Sequence, residues 1–525
     1  MPLETQALIV QKLADRGYNA EREAVTLLAG ADDPDTAIDR ALETVPADAL
    51  VLTADHVRSV LNRGSIAAAE ADDVETTSTS IPKSTDGHNP SVSGGDVPMK
   101  RQTGNISPRE TRGSNRSRSM AVDRGELEVS GDVKSTGTGE YVDFVSVFSD
   151  RYETLAGKLR DRVTHRPTAT VAALSDGSDV GIIGMIADVS TTRSGHWRVV
   201  LEDTTGTFPC LILNDREFAA DARELLRDEV IAVEGTVANK GGDDPILFVD
   251  ALYFPDVPRT HVPSTADRHV EAALISDVHV GSQEFETDAW HRFTDWLHTP
   301  EAEPIEYLLI AGDMVEGIGV YPNQDEELDI IDIYDQYERF SEYLKEVPGD
   351  VEIVMIPGNH DAVRLAEPQP AFDEELRDIM TAHDAHISAN PSMVRIEGVS
   401  VLMYHGVSLD EVIAELPDDK ASYDRPHEAM TRLLRKRHVA PQYGGMTRIA
   451  PEESDHLVID EIPDIFHAGH VHKLGYGKYR NVLTINSSCW QAQTDFQKSV
   501  NLDPDVGYAP IVSLDTLELT IRQFA

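Results

Sequence analysis

The sequence predicts an α/β protein in which a helical N-terminal unit and a polar linker precede a small β-barrel and a larger α/β domain. Three observations predict this class. Apolar residues recur at helical spacing before residue 65, short alternating strands follow residue 166, and five apolar runs after residue 269 each end in a polar cluster. A chain of 525 residues, 40% of them hydrophobic, is long enough to build several cores.

The composition is strongly acidic, with 92 Asp and Glu against 46 Lys and Arg and a formal net charge of −46. The acidity runs through segments with clear strand and helix patterns, so disorder alone does not explain it. A carboxylate-rich surface suits a cytosol of high salt, because salt screens the self-repulsion. The net charge therefore says little about partners, since counterion release contributes little to nucleic-acid binding at high salt.

Compartment and membrane association follow from what the sequence lacks. Cys210 and Cys489 are the two cysteines, which excludes a disulfide framework or a Cys-rich zinc module. The first residues lack the pattern of a signal peptide, and no apolar run approaches the length of a membrane span. We expect a cytoplasmic protein with no membrane partner.

Residues 1–64 are predicted to form a small helical domain, because apolar residues recur at helical spacing in four segments. Asp33 and Thr53 are the expected N-caps of two of these helices. The domain is interpreted as a module that docks a partner or DNA. A purely accessory helical bundle is an equal alternative.

Residues 65–140 are predicted to be a disordered linker. Ser, Thr, Gly, Asp and Pro dominate, so no core could offset the entropy of ordering the chain. The stretch from Lys100 to Arg124 is locally basic. It either contacts nucleic acid or an acidic partner, or it is a solvated spacer.

Residues 141–262 are predicted to form an OB-type barrel with its lead-in. Five short strands, with a helical insert from Ala219 between the third and the fourth, fit this architecture. Such barrels often bind single strands on aromatic platforms, for which Trp197 and Phe208 are candidates. Few Lys or Arg residues occur in these strands, so docking of a protein is at least as well favoured.

Residues 263–525 contain the five apolar runs, and helical stretches separate the first three. This pattern predicts a buried sheet of βαβ units, in which the carboxyl ends of the strands converge on one crevice. The polar residues that follow the runs should therefore meet in space. They are Asp277, His279, Asp313, Asn359, His360, His405, His470 and His472.

Seven of these residues have side chains typical of metal ligands. Carboxylates, imidazoles and one amide oxygen suit Mn²⁺, Fe²⁺ or Zn²⁺, and seven ligands fit two ions that share a carboxylate. The first ion is expected to be bound by Asp277, His279, Asp313 and His472. The second is expected to be bound by Asp313, Asn359, His405 and His470, so that Asp313 bridges the two. Two such ions would activate water for attack on phosphorus.

His360 is the candidate catalytic residue. It follows Asn359 directly and is expected to face the substrate, where it stabilises the transition state or protonates the leaving oxygen. Asp361 is expected to orient an imidazole from behind.

The remaining histidines and a basic cluster have simpler explanations. His467 lies inside an apolar run and is expected in the core, whereas His427 and His438 are expected at the surface. A basic cluster either meets DNA or an acidic partner, or forms a solvated face. It consists of Arg432, Arg435, Lys436 and Arg437.

The five blocks resemble those of the calcineurin-like metallophosphoesterase superfamily. One branch is similar over about residues 166–525: the small subunits of archaeal family D DNA polymerases. The segments that carry this resemblance are VEGIGVYPNQDEEL from Val315, IYDQYE from Ile333, LRKRHVAPQYGG from Leu434, DEIPDIFHAGHVH from Asp460 and NSSCWQAQTDFQK from Asn486.

The resemblance implies a 3′–5′ exonuclease that proofreads for a separate large catalytic subunit, in a heterodimer or heterotetramer. It implies a phosphoesterase β-sandwich flanked by helices over residues 263–525. Mn²⁺ is the expected ion, with Fe²⁺, Zn²⁺ and Mg²⁺ as alternatives. DNA 3′ ends are the expected substrate, and a sliding clamp is a further candidate partner. The acidity suggests a haloarchaeal member.

Two alternatives stay open. A non-catalytic scaffold subunit is disfavoured, because the related accessory subunits of eukaryotic replicative polymerases have lost the metal ligands, whereas every matching position is filled here. A phosphomonoesterase is the second alternative. Such phosphatases usually follow Gly-Asp with an Arg that grips phosphate, but here Gly312 and Asp313 are followed by Met314, Val315, Glu316 and Gly317.

Overall fold

The structure is a computed structural model. It describes residues 2–14, 16–31, 33–45, 51–67, 99–101, 127–130, 139–239, 244–321, 324–380 and 385–525. Within these ranges every helix is too short or too polar to span a bilayer.

Four helices and a two-stranded parallel ribbon form the N-terminal unit. In chain order they are α1 (Pro2–Ala14), β1 (Asn19–Ala20), α2 (Arg22–Ala29), α3 (Pro34–Leu42), β2 (Val51–Leu52) and α4 (Ala54–Ala67). The carboxylate of Asp33 accepts a hydrogen bond from the Thr36 amide, and the Thr53 hydroxyl accepts one from the His56 amide. Both predicted N-caps are therefore confirmed.

The N-terminal unit docks against the C-terminal part of the chain. The Arg22 guanidinium donates to the main-chain oxygens of Glu303, at 2.9 Å, and of Ile305. The Gly349 amide donates to the carbonyl of Ala20 at 2.9 Å. These bonds fix the unit beside one sheet of the C-terminal part.

Two short strands lie inside the predicted linker, so the expectation of disorder throughout residues 65–140 is wrong there. They are β3 (Met99–Arg101) and β4 (Leu127–Ser130). Each adds an edge strand to a sheet of the C-terminal part. Residues 68–98, 102–126 and 131–138 lie outside the described residues, as does the basic stretch after Arg101.

Two helices lead into a closed five-stranded barrel with the strand order β5-β6-β7-β9-β8. The elements are α5 (Tyr141–Arg160), α6 (Thr168–Val171), β5 (Asp179–Thr191), β6 (Trp197–Asp203), β7 (Gly206–Ile212), a 3-10 helix (Glu217–Glu224), β8 (Val230–Ala238) and β9 (Ile246–Tyr253). The predicted helical insert thus follows the third barrel strand. Phe208 is buried in the barrel core, so its assignment as an exposed platform is wrong.

The C-terminal part is built from two sheets flanked by helices. Its strands are β10 (Glu271–Ile275), β11 (Ile305–Ala311), β12 (Glu352–Ile356), β13 (His386–Ile387), β14 (Ser392–Ile396), β15 (Val399–Met403), β16 (Ile465–Ala468), β17 (Leu474–Tyr479), β18 (Val482–Ser487), β19 (Tyr508–Ser513) and β20 (Glu518–Gln523). Its helices are α7 (Thr287–Leu297), α8 (Ile333–Leu344), α9 (Glu374–Ile379), α10 (Ser408–Glu415), α11 (Pro426–Lys436) and α12 (Asp495–Ser499). Two short 3-10 helices cover Pro300–Ala302 and Gln324–Glu326.

The two sheets pack face to face around a shared apolar core. One has the order β13-β12-β11-β10-β19-β20-β3 and the other β17-β18-β16-β15-β14-β4. Leu274 and Leu309 of the first sheet and Val401 and Leu483 of the second belong to the same buried cluster. Helices α7 and α8 cover the outer face of the first sheet, and α10 and α11 cover that of the second.

The five apolar runs of the sequence are strands β10, β11, β12, β15 and β16. The first three pair in parallel, as the βαβ pattern predicts. The last two also pair in parallel, but in the second sheet. The crevice therefore lies where the carboxyl ends of both sheets meet, and not along a single sheet.

The predicted basic cluster is an internal interface between α11 and the barrel. Lys436 is buried, and its Nζ lies 2.7 Å from a carboxylate oxygen of Glu229. Arg435 lies 3.1 Å from both Glu224 and Asp221. Both alternatives considered for this cluster are wrong, because its partners lie within the same chain. Arg432, Arg435 and Lys436 face carboxylates of the barrel unit, and Arg437 donates to the main-chain oxygens of Ile459 and Asp460.

The surface assignment of His438 is also wrong. His438 is 1% exposed, and its Nε2 lies 3.0 Å from Asp455, which also pairs with the buried guanidinium of Arg151 at 2.6 Å. His427 is half-buried. The prediction for His467 is confirmed: it is fully buried, and its Nε2 lies 2.9 Å from the hydroxyl of Ser487.

Candidate metal centre

All eight candidate site residues lie in the loops that follow the five strands. Asp277 and His279 follow β10, Asp313 follows β11, and the other five follow β12, β15 and β16. The remaining residues are Asn359, His360, His405, His470 and His472. Parallel strands end at one edge of each sheet, and the two edges meet here, so the prediction that these side chains converge is confirmed.

Five of the candidate ligands have a left-handed backbone conformation, which is uncommon for residues other than glycine. Their φ angles lie between 51° and 72°, and they are Asp277, His279, Asp313, His470 and His472. Such conformations cost about 1–3 kcal/mol each and persist where the surroundings impose them. Their concentration in these loops is typical of a functional site.

The first cluster contains Asp277, His279 and His472, and one ligand atom from each lies within 4.8 Å of the others. The Nε2 atoms of the two imidazoles are 3.0 Å apart. An oxygen of Asp277 lies 3.4 Å from Nε2 of His472 and 3.9 Å from Nε2 of His279. These atoms point toward one common position.

The second cluster contains Asp313, His405 and His470, again with ligand atoms within 4.8 Å of one another. Nε2 of His405 lies 3.2 Å from an oxygen of Asp313 and 3.0 Å from the amide oxygen of Asn359. Nδ1 of His405 donates a hydrogen bond to the carbonyl of Ala311 at 2.8 Å, which fixes the ring with Nε2 facing Asp313 and Asn359.

Asp313 lies between the two clusters. Its Oδ2 is 3.2 Å from His405 and 3.8 Å from Nε2 of His279, while its Oδ1 accepts a hydrogen bond from the His360 amide at 2.8 Å. Burial raises the pKa of this carboxyl, but the neighbouring imidazoles outweigh burial and hold the pKa well below its usual range. Asp313 is thus an anionic group with one oxygen turned toward both clusters.

The loops approach so closely that two positions require glycine. A Cβ atom on Gly358 would lie 2.2 Å from an oxygen of Asp313, and one on Gly469 would lie 2.2 Å from an oxygen of Asp277. Any larger residue would displace these carboxylates.

Glu316 was not among the predicted site residues, yet it holds two of them. Its carboxylate lies 2.8 Å from Nδ1 of His279, and its main-chain oxygen lies 2.7 Å from Nδ1 of His360. Gln324 and Gln491 donate further hydrogen bonds to the same carboxylate. Burial raises the pKa of Glu316, but His279 outweighs burial and lowers it to about 2.

Two further residues hold ligands and were also missed. Asp410 on α10 lies 3.2 Å from Nε2 of His470, and Gln497 on α12 lies 2.8 Å from Nδ1 of His472. Neither carries a signal in the sequence, because each is separated from its histidine along the chain and has no motif of its own.

Asp361 does not orient an imidazole, so that prediction is wrong. Its carboxylate accepts hydrogen bonds from the Gly358 amide at 2.8 Å and from the Tyr337 hydroxyl at 3.0 Å. Burial, followed by the charge of Asp313, raises the pKa of Asp361 to about 7. Its role here is to fix the turn that carries Asn359.

A cavity of about 560 Å³ opens onto both clusters. His279, Asp313, His360, His470 and His472 line its floor, and Tyr321, Tyr423, Lys473 and Phe496 are among the residues of its wall. His360 bonds Glu316 through Nδ1, so its Nε2 is the ring nitrogen left for the cavity.

The donor set fits divalent metal ions. Imidazole nitrogens, carboxylate oxygens and one amide oxygen are combined, without thiolates, and three of the imidazoles are held by an acidic or carbonyl partner through their second nitrogen. Groups of this kind bind Mn²⁺, Fe²⁺ or Zn²⁺, and their geometry does not select one ion.

Sequence comparison indicates the class of protein to which this fold and this cluster of Asp and His residues belong. A family profile for the B subunit of the DNA polymerases alpha and epsilon matches residues 272–474. This range contains all eight candidate site residues, so the match covers the whole candidate site.

Whole-chain relatives are more specific. The chain is 60% identical over 527 aligned residues to a DNA polymerase II small subunit of Halobacterium salinarum, with 100% of both chains covered. It is 44% identical to the DNA polymerase II small subunit of Archaeoglobus fulgidus, covering 71% of this chain and 75% of that one. The chain therefore belongs to the small subunits of archaeal DNA polymerase II, the family D polymerases.

Among solved structures, an asparaginyl-tRNA synthetase from Pyrococcus horikoshii matches 17% of this chain and 22% of its own at 19% identity, with a TM-score of 0.16. A similarity this low carries no argument about function.

Proposed function

We propose that this chain is a metal-dependent 3′–5′ exonuclease that removes single-stranded or mismatched DNA 3′ ends for its polymerase. The observation that supports this most is the convergence of seven potential metal ligands, all present, around Asp313 at the floor of an open cavity. Residues 263–525 carry the activity, in what we propose is a calcineurin-like arrangement of the two sheets.

In this proposal two divalent ions, Mn²⁺ being the expected species, supply Lewis-acid activation of water and stabilise charge on the phosphate. Asp277, His279 and His472 would hold the first, and Asn359, His405 and His470 would hold the second. Asp313 contributes to both, since its Oδ2 faces a histidine of each cluster. With both sites filled, the ligands would hold positive charge at the cavity floor, where a phosphate could be bound.

His360 acts on the substrate rather than on a metal. Its Nδ1 is engaged by the main-chain oxygen of Glu316 at 2.7 Å, so Nε2 is available at the cavity surface. There it would donate a hydrogen bond to the developing charge or a proton to the leaving 3′ oxygen. This role accounts for a histidine that sits beside Asn359, meets the His279 ring edge to face with centroids 4.8 Å apart, and lines the cavity.

A scaffold without activity is the alternative that this geometry disfavours. A subunit that only supports a partner has no need for five strained polar loop residues, four of them buried, which cost stability. A phosphomonoesterase is disfavoured for another reason. Glu316 and Gly317 stand where such an enzyme usually has an Arg for terminal phosphate, and the Glu316 carboxylate is committed to His279.

The partners follow from the family. We propose that the chain assembles with the large catalytic subunit of the polymerase, binds DNA 3′ ends, and works in the cytoplasm, with a sliding clamp as a further candidate partner. The closed barrel of residues 141–262 is proposed to be of OB type. Its strands have few basic residues, which favours a protein partner for it, and the small helical domain of residues 1–64 is proposed to dock a partner as well.

Digestion of end-labelled DNA tests the proposal. Full-length protein, alone and with its large subunit, is incubated with single-stranded, matched and 3′-mismatched primers in Mn²⁺, beside an assay for phosphate release from a monoester. We expect shortening from the 3′ end that requires metal and prefers unpaired ends. Release of inorganic phosphate without shortening would instead establish a phosphomonoesterase.

Two variants separate the roles of the residues. Asp313→Asn should bind both ions more weakly, because the shared ligand loses its charge, and should lose activity. His360→Ala should retain two bound metals and near-normal DNA binding, while the exonuclease rate falls at least ~10²-fold. Elemental analysis decides between the roles: loss of one metal in His360→Ala would make His360 a ligand.

A further inference from the structure

An aromatic pair forms part of the cavity wall and has no role in the centre described above. Tyr321 and Phe496 are stacked, with ring centroids 5.9 Å apart and planes inclined by 25°. Both rings line the cavity. Phe496 is 54% exposed, so much of its ring surface is accessible.

The pair is held rigidly and close to the reacting groups. The Tyr321 hydroxyl lies 3.1 Å from a carboxylate oxygen of Glu316 and 3.3 Å from one of Glu327, and its single proton can be donated to either, which restrains the ring. Its centroid lies 6.3 Å from that of His360. The ring of Tyr321 therefore lies between the ring of His360, the proposed catalytic residue, and the ring of Phe496.

Phe496 is fixed from the other side. It belongs to α12, whose first turn is closed by reciprocal hydrogen bonds between Thr494 and Gln497. The same Gln497 lies 2.8 Å from His472. The exposed ring is therefore mounted on a turn that is anchored to the first metal cluster.

The charged side chains around the cavity are mostly acidic, so among the protein groups stacking is better suited than charge to attract a nucleic acid. Asp410, Asp424 and Asp503 lie in its wall, and Lys473 is the lysine among the described lining residues, itself 3.7 Å from Asp505. Stacking of a base on an aromatic ring does not depend on net charge. It is also tolerant of base identity, because every base has a π-face.

We propose that the exposed face of Phe496, backed by Tyr321, is the subsite on which the unpaired terminal base of the DNA strand stacks while its last phosphodiester lies at the metal centre. This inference rests on the proposed exonuclease function and specifies its substrate: a frayed or mismatched end offers such a base, whereas a paired end keeps its base in the duplex. Phe496 is then a positioning residue that selects unpaired ends.

The test compares proteins with and without the Phe496 ring on DNA with and without a terminal base. Binding of full-length protein to fluorescent single-stranded oligonucleotides is measured by fluorescence anisotropy in Mn²⁺ and 2 M KCl. The oligonucleotides carry a phosphorothioate as last linkage, which slows cleavage, and end in either a normal or an abasic nucleotide. We expect wild-type protein to bind the normal end about tenfold more tightly than the abasic end.

Three variants make the result specific. Phe496→Leu keeps apolar surface but removes the ring, and should bind the two ends equally. Phe496→Tyr keeps a ring and should restore the preference. Tyr141→Ala, which removes an exposed aromatic residue outside this cavity, should retain it. An unchanged preference in Phe496→Leu, or no preference in wild-type protein, would overturn the proposal.

Digestion of unmodified oligonucleotides in parallel keeps this inference distinct from the exonuclease proposal. If wild-type protein digests DNA while Phe496→Leu keeps the full preference, the subsite is wrong and the exonuclease stands. If wild-type protein prefers the normal end but never shortens it, the exonuclease is wrong and Phe496 remains a base-binding residue.

Discussion

Glu316 shows how strongly the centre depends on a residue that binds no metal in our assignment. Its carboxylate holds Nδ1 of His279, and its main chain holds His360. A carboxylate behind a ligating imidazole fixes the ring orientation and raises its basicity. The same residue also receives the Tyr321 hydroxyl, so it connects the first metal cluster, the candidate catalytic residue and the aromatic pair.

We expect Glu316→Gln to weaken metal binding about 10–100-fold at the first cluster, because the amide replaces a charged partner of His279. Calorimetric titration of metal-free protein with Mn²⁺ measures this change in metal affinity. Glu327→Gln is the matched control, since Glu327 also lies within hydrogen-bond distance of the Tyr321 hydroxyl but does not contact His279. Equal affinities in Glu316→Gln and wild-type protein would contradict the role given to Glu316.

At this scale the sequence predicts the convergence of the candidate ligands better than the residues that support them. Asp277, His279 and Asp313 directly follow apolar runs, so their convergence follows from strand direction alone. Asp410 and Gln497 reach their histidines only through the packing of α10 and α12, and no local pattern encodes that packing. Asp361 was misassigned because a carboxylate next to a histidine is equally able to bond the main chain.

His438 provides a pH dependence away from the metal centre. Burial, together with the charge of Arg151, lowers the pKa of His438 from 6.5 to about 4. The unfolded chain therefore takes up a proton on His438 near pH 6.5, whereas the folded protein takes it up only near pH 4. The contribution of this group to the free energy of unfolding is complete above pH 6.5 and is lost as the pH falls toward 4.

Between pH 7.5 and 5 this group should remove about 2 kcal/mol from the free energy of unfolding. Denaturant unfolding at each pH measures the loss. His438→Gln cannot take up that proton, so its stability should decline less steeply over the same interval. Parallel curves for the two proteins would show that His438 titrates normally in the folded state.

At the scale of elements, the βαβ pattern predicts the parallel pairing of β10, β11 and β12, and the polar residues at their ends. The sequence does not reveal which elements join the domains. Helix α11 looks like a basic surface because its partners, Glu224 and Glu229, lie about two hundred residues earlier. Strand β4 looks like linker because its four residues are ordered by pairing with β14 and by packing of Leu127 and Val129 on the core, contacts that lie far away along the chain.

The buried pair between Lys436 and Glu229 is expected to dominate the contact between α11 and the barrel. Lys436→Met leaves the Glu229 carboxylate buried without its cation, which should cost roughly 3–5 kcal/mol in unfolding free energy. The double variant Lys436→Met, Glu229→Gln removes the stranded charge and should regain most of this loss. Denaturant unfolding of the single and double variants gives the coupling energy.

Lys158→Met is the control for that experiment. Lys158 pairs with Asp460, whose side chain is 78% exposed, so its loss should cost at most about 1 kcal/mol. If Lys436→Met were as mild as Lys158→Met, the interface would not depend on the buried pair.

At the scale of the whole molecule, the excess of acidic residues sets how stability responds to salt. A net charge of −46 makes the compact state repel itself. The screening length is about 10 Å at 0.1 M ionic strength and about 3 Å at 1 M, so salt relieves repulsion between neighbouring carboxylates. Exposed ion pairs such as that of Arg16 with Asp39 are weakened by the same screening, but each contributes little.

We therefore expect the melting temperature to rise with KCl, and most of the rise to occur below about 1 M, where the screening length changes most. Calorimetry from 0.1 to 3 M KCl measures the shape of this curve. Stabilisation by solute exclusion would instead continue to increase at high concentration, and a neutral excluded solute such as sucrose would reproduce it. A melting temperature that is flat between 0.1 and 1 M KCl would mean that the acidic residues are arranged so that their repulsion is already balanced within the fold.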